Sequence, residues 1–460
     1  MKKIKPKILR PGSRIAAISL SWGGPGTVPY RYETGKRQFE EEFDVTVVET
    51  PHALHKIKDM KILFLSPTVP FPLTDGGRIR VFNLLKQIAA KSRVTLLALE
   101  TQPTDADGVV QLQQLGIQVH LVPNAPTLPP LSLGTLFTAF LKRQPITVAR
   151  YALPAYRQKF RELVATEDFD LVHYEMFHTA QFRTDTDLPG VLSQQNVDSA
   201  IWQRLCGETT HPFYKFAYWT QQLAFQRYER VLSPKFDAVT CTSDIDAAVF
   251  QQHCAENSIE IIPNGVDVTH YQPDFTSEAP AHLIYIGSMD WYPNEDAVAF
   301  FADEVLPQIQ EKVPDVQFSI VGGNPSALVE RLAERKGVVV TGRVPEIKPY
   351  FAEATVFVVP LRIGSGTRLK ILEALAMGKA IVSTTVGAEG LDLKDGEEIF
   401  IADEPIAFSE AVIRLLTDPS LRRRIGESGR ARVEQDYDWR SIGERLYNLY
   451  TKIIVHPKSE

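Results

Sequence analysis

Cysteine is scarce: Cys206, Cys241 and Cys254 are the only three in 460 residues. None shares a Cys-x-x-Cys spacing, which excludes a disulfide framework and a zinc site of the finger type. No stretch approaches the roughly 18 uninterrupted apolar residues of a membrane-crossing helix. Pro6, Pro11 and Gly12 break the N-terminus where a secretory signal carries its apolar run, so the expected location is the cytoplasm. A net charge of −6 supplies no global positive field, and nucleic acid is not an expected partner. The chain also lacks a Gly-x-Ser-x-Gly nucleophile elbow. What remains is globular: 44% apolar and 23% charged, in a length that suits two or three domains.

The richest stretch is Val359-Pro-Leu-Arg-Ile-Gly-Ser-Gly-Thr-Arg-Leu-Lys-Ile-Leu-Glu-Ala-Leu-Ala-Met-Gly-Lys-Ala-Ile-Val-Ser383. Its pattern predicts a buried strand, a glycine turn at Gly364 and Gly366, a helix from near Thr367 to Gly378, and a second buried strand. The helix is apolar almost all round, so it is expected between layers. Its first-turn amides lack intrahelical acceptors, and Arg368 and Lys370 add positive charge there, which suits a phosphate. Lys370 and Glu373 share one stripe and need a ligand or each other. A mutual ion pair on a solvated edge is the plainer alternative, and it leaves the glycine turn unexplained.

From Met60 strands and helices alternate, which predicts parallel sheets covered on both faces. Strands are expected at 62–66, 93–99, 118–122, 171–174, 190–193 and 238–242 in a first Rossmann-like unit. A second unit has them at 283–286, 317–321, 338–341, 356–359, 380–383 and 399–401. Residues 263–280, rich in proline, asparagine, glycine and serine, read as the linker. The domain division is 1–59, 60–265, 266–438 and a final helix within 439–460. Ligands of open parallel sheets sit beyond the carboxyl ends of the strands, so the reaction is expected in the cleft between the two sheets. The loop after the first strand, Pro67 to Arg78, offers Gly76 and Gly77 for close backbone approach to a ligand, followed by a helix from about Ile79. A plain proline-rich turn is the alternative there. Dinucleotide binding is disfavoured because the Gly-x-Gly-x-x-Gly spacing is missing from this loop.

Several segments in order resemble the retaining glycosyltransferases of the GT-B fold, in their family-4-like group, over residues 60–455. They are Lys61-Ile-Leu-Phe-Leu-Ser66 with Asp75-Gly-Gly-Arg78, Phe169-Asp-Leu-Val-His-Tyr-Glu175, Ile262-Pro-Asn-Gly-Val-Asp267, Ile284-Tyr-Ile-Gly-Ser288, Ile320-Val-Gly-Gly323, Val340-Thr-Gly-Arg-Val344 and the 359–383 block. The resemblance implies an α/β fold of two Rossmann-like domains facing across a cleft, with the last helix crossing back to the first. It implies a hexosyltransferase with no cofactor, whose nucleoside-diphosphate sugar is a co-substrate. Donor contacts are expected from Gly76, Gly77, Ser288, Arg343, Val344, Gly364, Ser365, Gly366, Thr367 and Glu373. Lys370, Arg368, Glu175 and His173 are the expected catalytic set. His173 has the competing reading of a bonded core histidine, as has His178. Trp291 and Tyr292 are read as packing on a helix, with stacking on a sugar or base as the alternative.

The chain departs from the family pattern where Ser365 stands for the first of two glutamates, leaving Glu373 to hold the ribose. The usual arginine and lysine after the strand glycine are replaced by Ser288 and Pro293-Asn294. Arg368 and Lys370 are read as substitutes from the opposite wall. With no Asp-x-Asp pair read at a strand end, transfer is expected without a divalent metal. The acceptor is expected to be a saccharide or lipid-linked hydroxyl. Residues 131–161 mix Leu136, Phe137, Phe140 and Leu141 with Lys142, Arg143, Arg150, Arg157, Lys159 and Arg161. They form either a helix pair capping the first domain or a peripheral contact at the inner face of a membrane.

Residues 1–59 read as one β-α-β unit, with strands at 14–19 and 44–48 and a helix at 32–43, too small to hold its own core. Lys7-Ile-Leu-Arg-Pro-Gly12, Ser19-Leu-Ser-Trp-Gly-Gly24 and Arg31-Tyr-Glu-Thr-Gly-Lys36 resemble the start of LD-carboxypeptidase-like serine peptidases, including the microcin-immunity type. That resemblance ends near His55, before any catalytic serine, so a non-catalytic fragment is expected. The rival activities are a nucleotide-sugar 2-epimerase of the same fold and a serine peptidase.

Overall fold

A computed structural model describes the strand backbones 14–17 and 46–49 and residues 60–102, 104–123, 144–255, 258–364 and 368–455. Two parallel sheets dominate. The first lobe carries β3 (Lys61–Leu65), β4 (Arg93–Glu100), β5 (Gln118–Pro123), β6 (Leu171–Glu175), β7 (Gly190–Ser193), β8 (Ala238–Cys241) and β9 (Ile259–Ile261). Their order is β5-β4-β3-β6-β7-β8-β9, all parallel. The second lobe carries β10 (His282–Ile286), β11 (Gln317–Val321), β12 (Val338–Gly342), β13 (Val356–Val359), β14 (Ala380–Ser383) and β15 (Phe400–Ile401). Its order is β12-β11-β10-β13-β14-β15, again parallel.

The central strands are apolar runs, rich in β-branched residues and buried on both faces, as Val356–Val359 and Ala380–Ser383 are throughout. In each sheet the chain enters at an inner strand, β3 or β10, and later strands depart to opposite sides. Crevices therefore open between β3 and β6 and between β10 and β13, at the points where strand order reverses. Every functional loop discussed below leaves one of these sheets at its carboxyl end.

The cleft is bounded by helices α1 (Gly76–Ala89), α2 (Asp198–Glu208), α3 (Pro212–Leu232), α4 (Tyr292–Phe300) and α5 (Leu369–Ala376), and α6 (Trp439–Val455) ties the lobes together. Helix α6 buries Trp439, Ile442, Leu446, Leu449, Tyr450 and Ile453 in the core of the first lobe. Arg80, wholly buried on α1, secures the crossover between lobes. It donates to the carbonyls of Ile262 at 2.7 Å and Pro263 at 2.8 Å, and to Asn264 Oδ1 at 3.0 Å.

Several boundaries differ from the sequence reading. Helix α1 begins at Gly76 rather than Ile79, because the Asp75 carboxylate accepts from the Arg78 amide at 3.0 Å and caps it there. Strand β9 was absent from the reading; three residues at a sheet edge carry too little periodicity. The β1 (Arg14–Ala17) and β2 (Thr46–Glu49) backbones pair in parallel, with Arg14 opposite Thr46. The helix expected at 32–43 lies outside the described residues. So do residues 131–143 of the basic apolar segment. The described remainder packs into the first lobe: Tyr156 and Phe160 are buried, and Arg157 and Arg161 bond Asp185 at 3.3 and 2.8 Å.

Candidate active site

The site is built from two crevices that face one another. Gly76, at the start of α1, lies where an added Cβ would touch Leu369 Cδ1, at the start of α5, at 3.4 Å. The two glycine loops singled out from sequence thus meet across the cleft.

On the second lobe, Lys370 extends from α5 toward the end of β10. Its Nζ donates to Tyr285 Oη at 3.0 Å and Asn294 Oδ1 at 3.3 Å, and sits 4.3 Å from the centre of the Tyr285 ring. Asn294 in turn donates to the Ser288 carbonyl at 2.8 Å, so one polar chain links α5, α4 and the loop after β10. Gly287 makes room for this, since a Cβ there would come 2.9 Å from Lys370 Nζ. Burial, then the positive charge of Arg368, brings the Lys370 ammonium down to about 7. Its bonded partners are neutral, which leaves an anion as the missing partner.

Among the described residues no ion pair joins Lys370 to Glu373, so the plainer reading of the shared stripe fails. Glu373 instead accepts from Tyr271 Oη at 3.1 Å, and burial raises its carboxyl above the ordinary value. Arg368 precedes α5 with its guanidinium against Gly364, and burial lowers its pKa. Ser365, Gly366 and Thr367 lie outside the described residues. Ser288 is engaged within its loop, donating to Asp290 Oδ1 at 2.6 Å. Arg343 is exposed beside Gly323, while Val344 packs partly on the lobe's core. Trp291 and Tyr292, expected to pack on a helix, are both 62% exposed at the start of α4. That helix spends its apolar side on the core and leaves its first turn at the cleft.

On the first lobe, a cavity of about 390 Å³ lies at the end of β3 and β6, lined by Asp75, Gly77, Glu175, Met176, His178 and Gln195, among others. Gln195 donates to Glu175 Oε1 at 2.8 Å. Met176 holds a φ of 62°, a conformation that a long side chain rarely adopts, at the wall of this cavity. Burial opposes charge on Glu175, yet hydrogen bonds from His173 and Gln195 and the nearby Arg80 hold its carboxyl below the ordinary value.

His173 sits elsewhere than a catalyst must. It is wholly buried and stacked on Phe64 at 4.0 Å. Its Nε2 bonds Glu175 at 3.1 Å and its Nδ1 accepts from Tyr450 Oη at 2.6 Å. Burial lowers its pKa, so it is a neutral ring that positions Glu175. His178 is the histidine at the cavity wall, lowered to about 4 by burial and with an Nδ1 that no described residue bonds. His173 lies within β6 and His178 just beyond it, and no local pattern tells which of the two reaches the cavity.

An Asp-x-Asp pair does stand after a strand: Asp244-Ile-Asp246 follows β8. Its Asp246 carboxylate accepts from the Thr242 and Ser243 hydroxyls at 3.0 and 2.8 Å, as part of a helix cap. Tyr271, Tyr285, Asn294, Gln195 and Arg204 were likewise missed, because nothing local marks a residue whose partner is far along the chain. Arg204 is the second lobe's visitor from the first: it donates to the Gly364 carbonyl at 2.6 Å.

Residues 74–270 match a family model described as Glycosyltransferase Family 4, and residues 280–418 match one described as Glycosyl transferases group 1. The chain is 20% identical to an uncharacterized 44.6 kDa protein in the cps region of Klebsiella pneumoniae, over 84% of this chain and 99% of that one. It is 24% identical to the phosphatidyl-myo-inositol mannosyltransferase of Mycolicibacterium smegmatis, over 74% and 87%. Its fold superposes on sucrose-phosphate synthase from Thermosynechococcus elongatus with a TM-score of 0.64 at 18% identity, over 86% of this chain and 99% of that one. HepE from Anabaena, solved with UDP and glucose, gives a TM-score of 0.58 at 16% identity, over 85% and 100%. The two matched models fall on the two lobes in turn, and the chain is a glycosyltransferase of the GT-B fold.

Proposed function

We propose that this glycosyltransferase moves a hexosyl unit from a nucleoside-diphosphate sugar to an acceptor hydroxyl, with retention of anomeric configuration and without a divalent metal. The observation that carries the reading is Lys370, bonded among the described residues to neutral groups only at the β10–β13 crevice, next to Leu369, which faces Gly76 across the cleft. Breaking a glycosyl–phosphate bond loads charge on the departing diphosphate. Cations fixed at that place stabilise the transition state more than the ground state. Lys370 and Arg368 supply them here, with Glu373 placed for the ribose and Arg343-Val344 for the base. The acceptor oxygen bonds to the anomeric carbon on the face the diphosphate leaves, and its proton passes to a donor phosphate oxygen. Glu175, held ionised at the cavity wall, orients the acceptor from below.

HepE, solved with UDP and glucose, supports a nucleotide-sugar donor, and the phosphatidyl-myo-inositol mannosyltransferase relative supports a glycolipid as the product, with cell-surface polysaccharide as the other reading. The enzyme then works in the cytoplasm, peripherally at the inner face of the membrane; among the described residues no helix is long and apolar enough to cross one. Residues 1–59 are read as a fused fragment without peptidase activity, which a fluorophosphonate probe tests directly.

Thermal-shift screening with UDP, GDP and ADP, followed by NMR of the product formed from the matching sugar nucleotide, tests the whole reading. A bound diphosphate raises the melting temperature by mass action. Absence of any shift, or a product of inverted configuration, overturns it.

A further inference from the structure

Helix α3 is apolar on two opposite sides. Phe225, Glu229 and Leu232 face inward and are buried, Glu229 accepting from the Ser199 amide at 2.9 Å. On the other side Phe213, Phe216, Trp219, Leu223 and Val231 fall on one stripe at helical spacing. They are 69, 63, 47, 44 and 50% exposed. Large apolar groups in a continuous exposed row mark a surface that some partner covers.

The charges on this stripe say which partner. Arg227 and Arg230 lie on it, Lys215 stands beside its start and Lys235 just past its end, all exposed. Among the described residues no carboxylate pairs with any of the four, and the helix's single acid, Glu229, points inward. This positive charge is local, in a chain whose net charge is −6. Phenylalanine and tryptophan next to unopposed arginine match the boundary between acyl chains and anionic headgroups. Pairing with a second copy gathers the unopposed cations of both chains in one interface, where like charges repel.

We propose that the outer side of α3 docks on an anionic lipid bilayer, its aromatic half entering the headgroup boundary and its arginines meeting lipid phosphates. The docking rests on the glycolipid arm of the function proposed above. It also places the acceptor, because α2 and α3 form one helical hairpin and α2 carries Arg204 against the donor loop at Gly364. A lipid-anchored hydroxyl on that bilayer is brought beside the cleft.

Flotation of the full chain with vesicles of phosphatidylcholine alone, or with roughly one-third phosphatidylglycerol, tests the docking. The wild type is expected to float with the anionic vesicles, to be released by salt, and to stay behind with the neutral ones. Arg227→Gln with Arg230→Gln is expected to lower partitioning roughly 30-fold, each arginine contributing near the surface. Phe216→Glu with Trp219→Glu is expected to abolish it, while melting temperature and the UDP or GDP shift are kept. Trp219→Phe is expected to float as before yet lose most of its fluorescence quenching by brominated lipid. The proposal is overturned by wild-type protein that ignores anionic vesicles, by quenching undiminished in Trp219→Phe, or by a wild-type dimer that Trp219→Glu converts to monomer. A kept nucleotide shift without flotation sinks the docking alone; a missing shift sinks the donor reading alone.

Discussion

Arg204 of helix α2 reaches from the first lobe to the second, donating to the carbonyl of Gly364 at 2.6 Å and pairing with Glu389 at 3.0 Å. The contact joins an acceptor-side helix to the backbone of the donor-side glycine loop. It is half exposed, so its worth to folding is small, below about 1 kcal/mol. Its worth to lobe closure is greater, because it spans the cleft at one point. Arg204→Gln is expected to keep the melting temperature nearly unchanged while lowering kcat/KM about tenfold through loss of a charge-assisted bond. Steady-state kinetics beside a melting curve checks both, and an unaltered kcat/KM removes Arg204 from closure.

Lys370 has a pH signature. Burial brings its folded pKa to about 7, below the unfolded value of a lysine. Above pH 7 the folded, empty site holds it neutral while the unfolded chain still binds a proton, so its drag on stability is full below pH 7 and is relieved progressively as pH rises from 7 toward the unfolded lysine value of 10.5. A bound diphosphate restores the ammonium. Nucleotide binding near pH 8 is therefore expected to take up a proton, and affinity to fall as pH rises above 7. Calorimetry in buffers of different ionisation enthalpy measures the uptake; a binding enthalpy independent of buffer speaks against it.

Removing the same ammonium tests its chemical role. Lys370→Ala is expected to cost about 10²–10³-fold in kcat, as loss of an oxyanion donor does. Lys370→Met, of similar shape, is expected to raise the melting temperature of the empty protein, because it deletes a buried charge without opening a cavity. Near-normal turnover in a folded Lys370→Ala protein takes Lys370 out of the mechanism.

Two glycines separate space for function from space for folding. A Cβ on Gly287 meets Asn294 Nδ2 at 2.8 Å and Lys370 Nζ at 2.9 Å, both ends of side chains that can yield. Gly287→Ala is expected to fold and to weaken nucleotide binding about tenfold or more, the price of displacing the cation by overpacking. Gly322 has a φ of 155°, and a Cβ there strikes the Gly287 carbonyl, which cannot yield. Gly322→Ala is expected to lose soluble folded protein. Expression and melting of the two variants side by side decide this.

Arg80 gives a prediction about stability. Its three bonds hold Ile262, Pro263 and Asn264 at the crossover between lobes. Arg80→Met leaves those acceptors buried and unpaired, and a loss of about 3–5 kcal/mol in urea unfolding is expected. A loss below about 1 kcal/mol shows that water replaces the guanidinium.

The sequence by itself determined the alternation of strands and helices, both parallel sheets and two glycine loops, one of them leading into a basic helix start. Those features rest on short-range rules: β-branched runs, a 3.6-residue stripe and glycine where a Cβ is excluded. It also marked Lys370 and Glu373 as charges on a buried helix that need a partner. Which partner each takes was decided only by the tertiary structure. Tyr271 reaches Glu373 from 102 positions away, Tyr285 reaches Lys370 from 85, and Tyr450 closes on His173 from 277. No local pattern encodes such pairs, because they depend on how α6 crosses the first lobe and how α5 sits against β10. The same packing withdrew His173 from the cleft, left His178 at its wall and brought Arg204 across it.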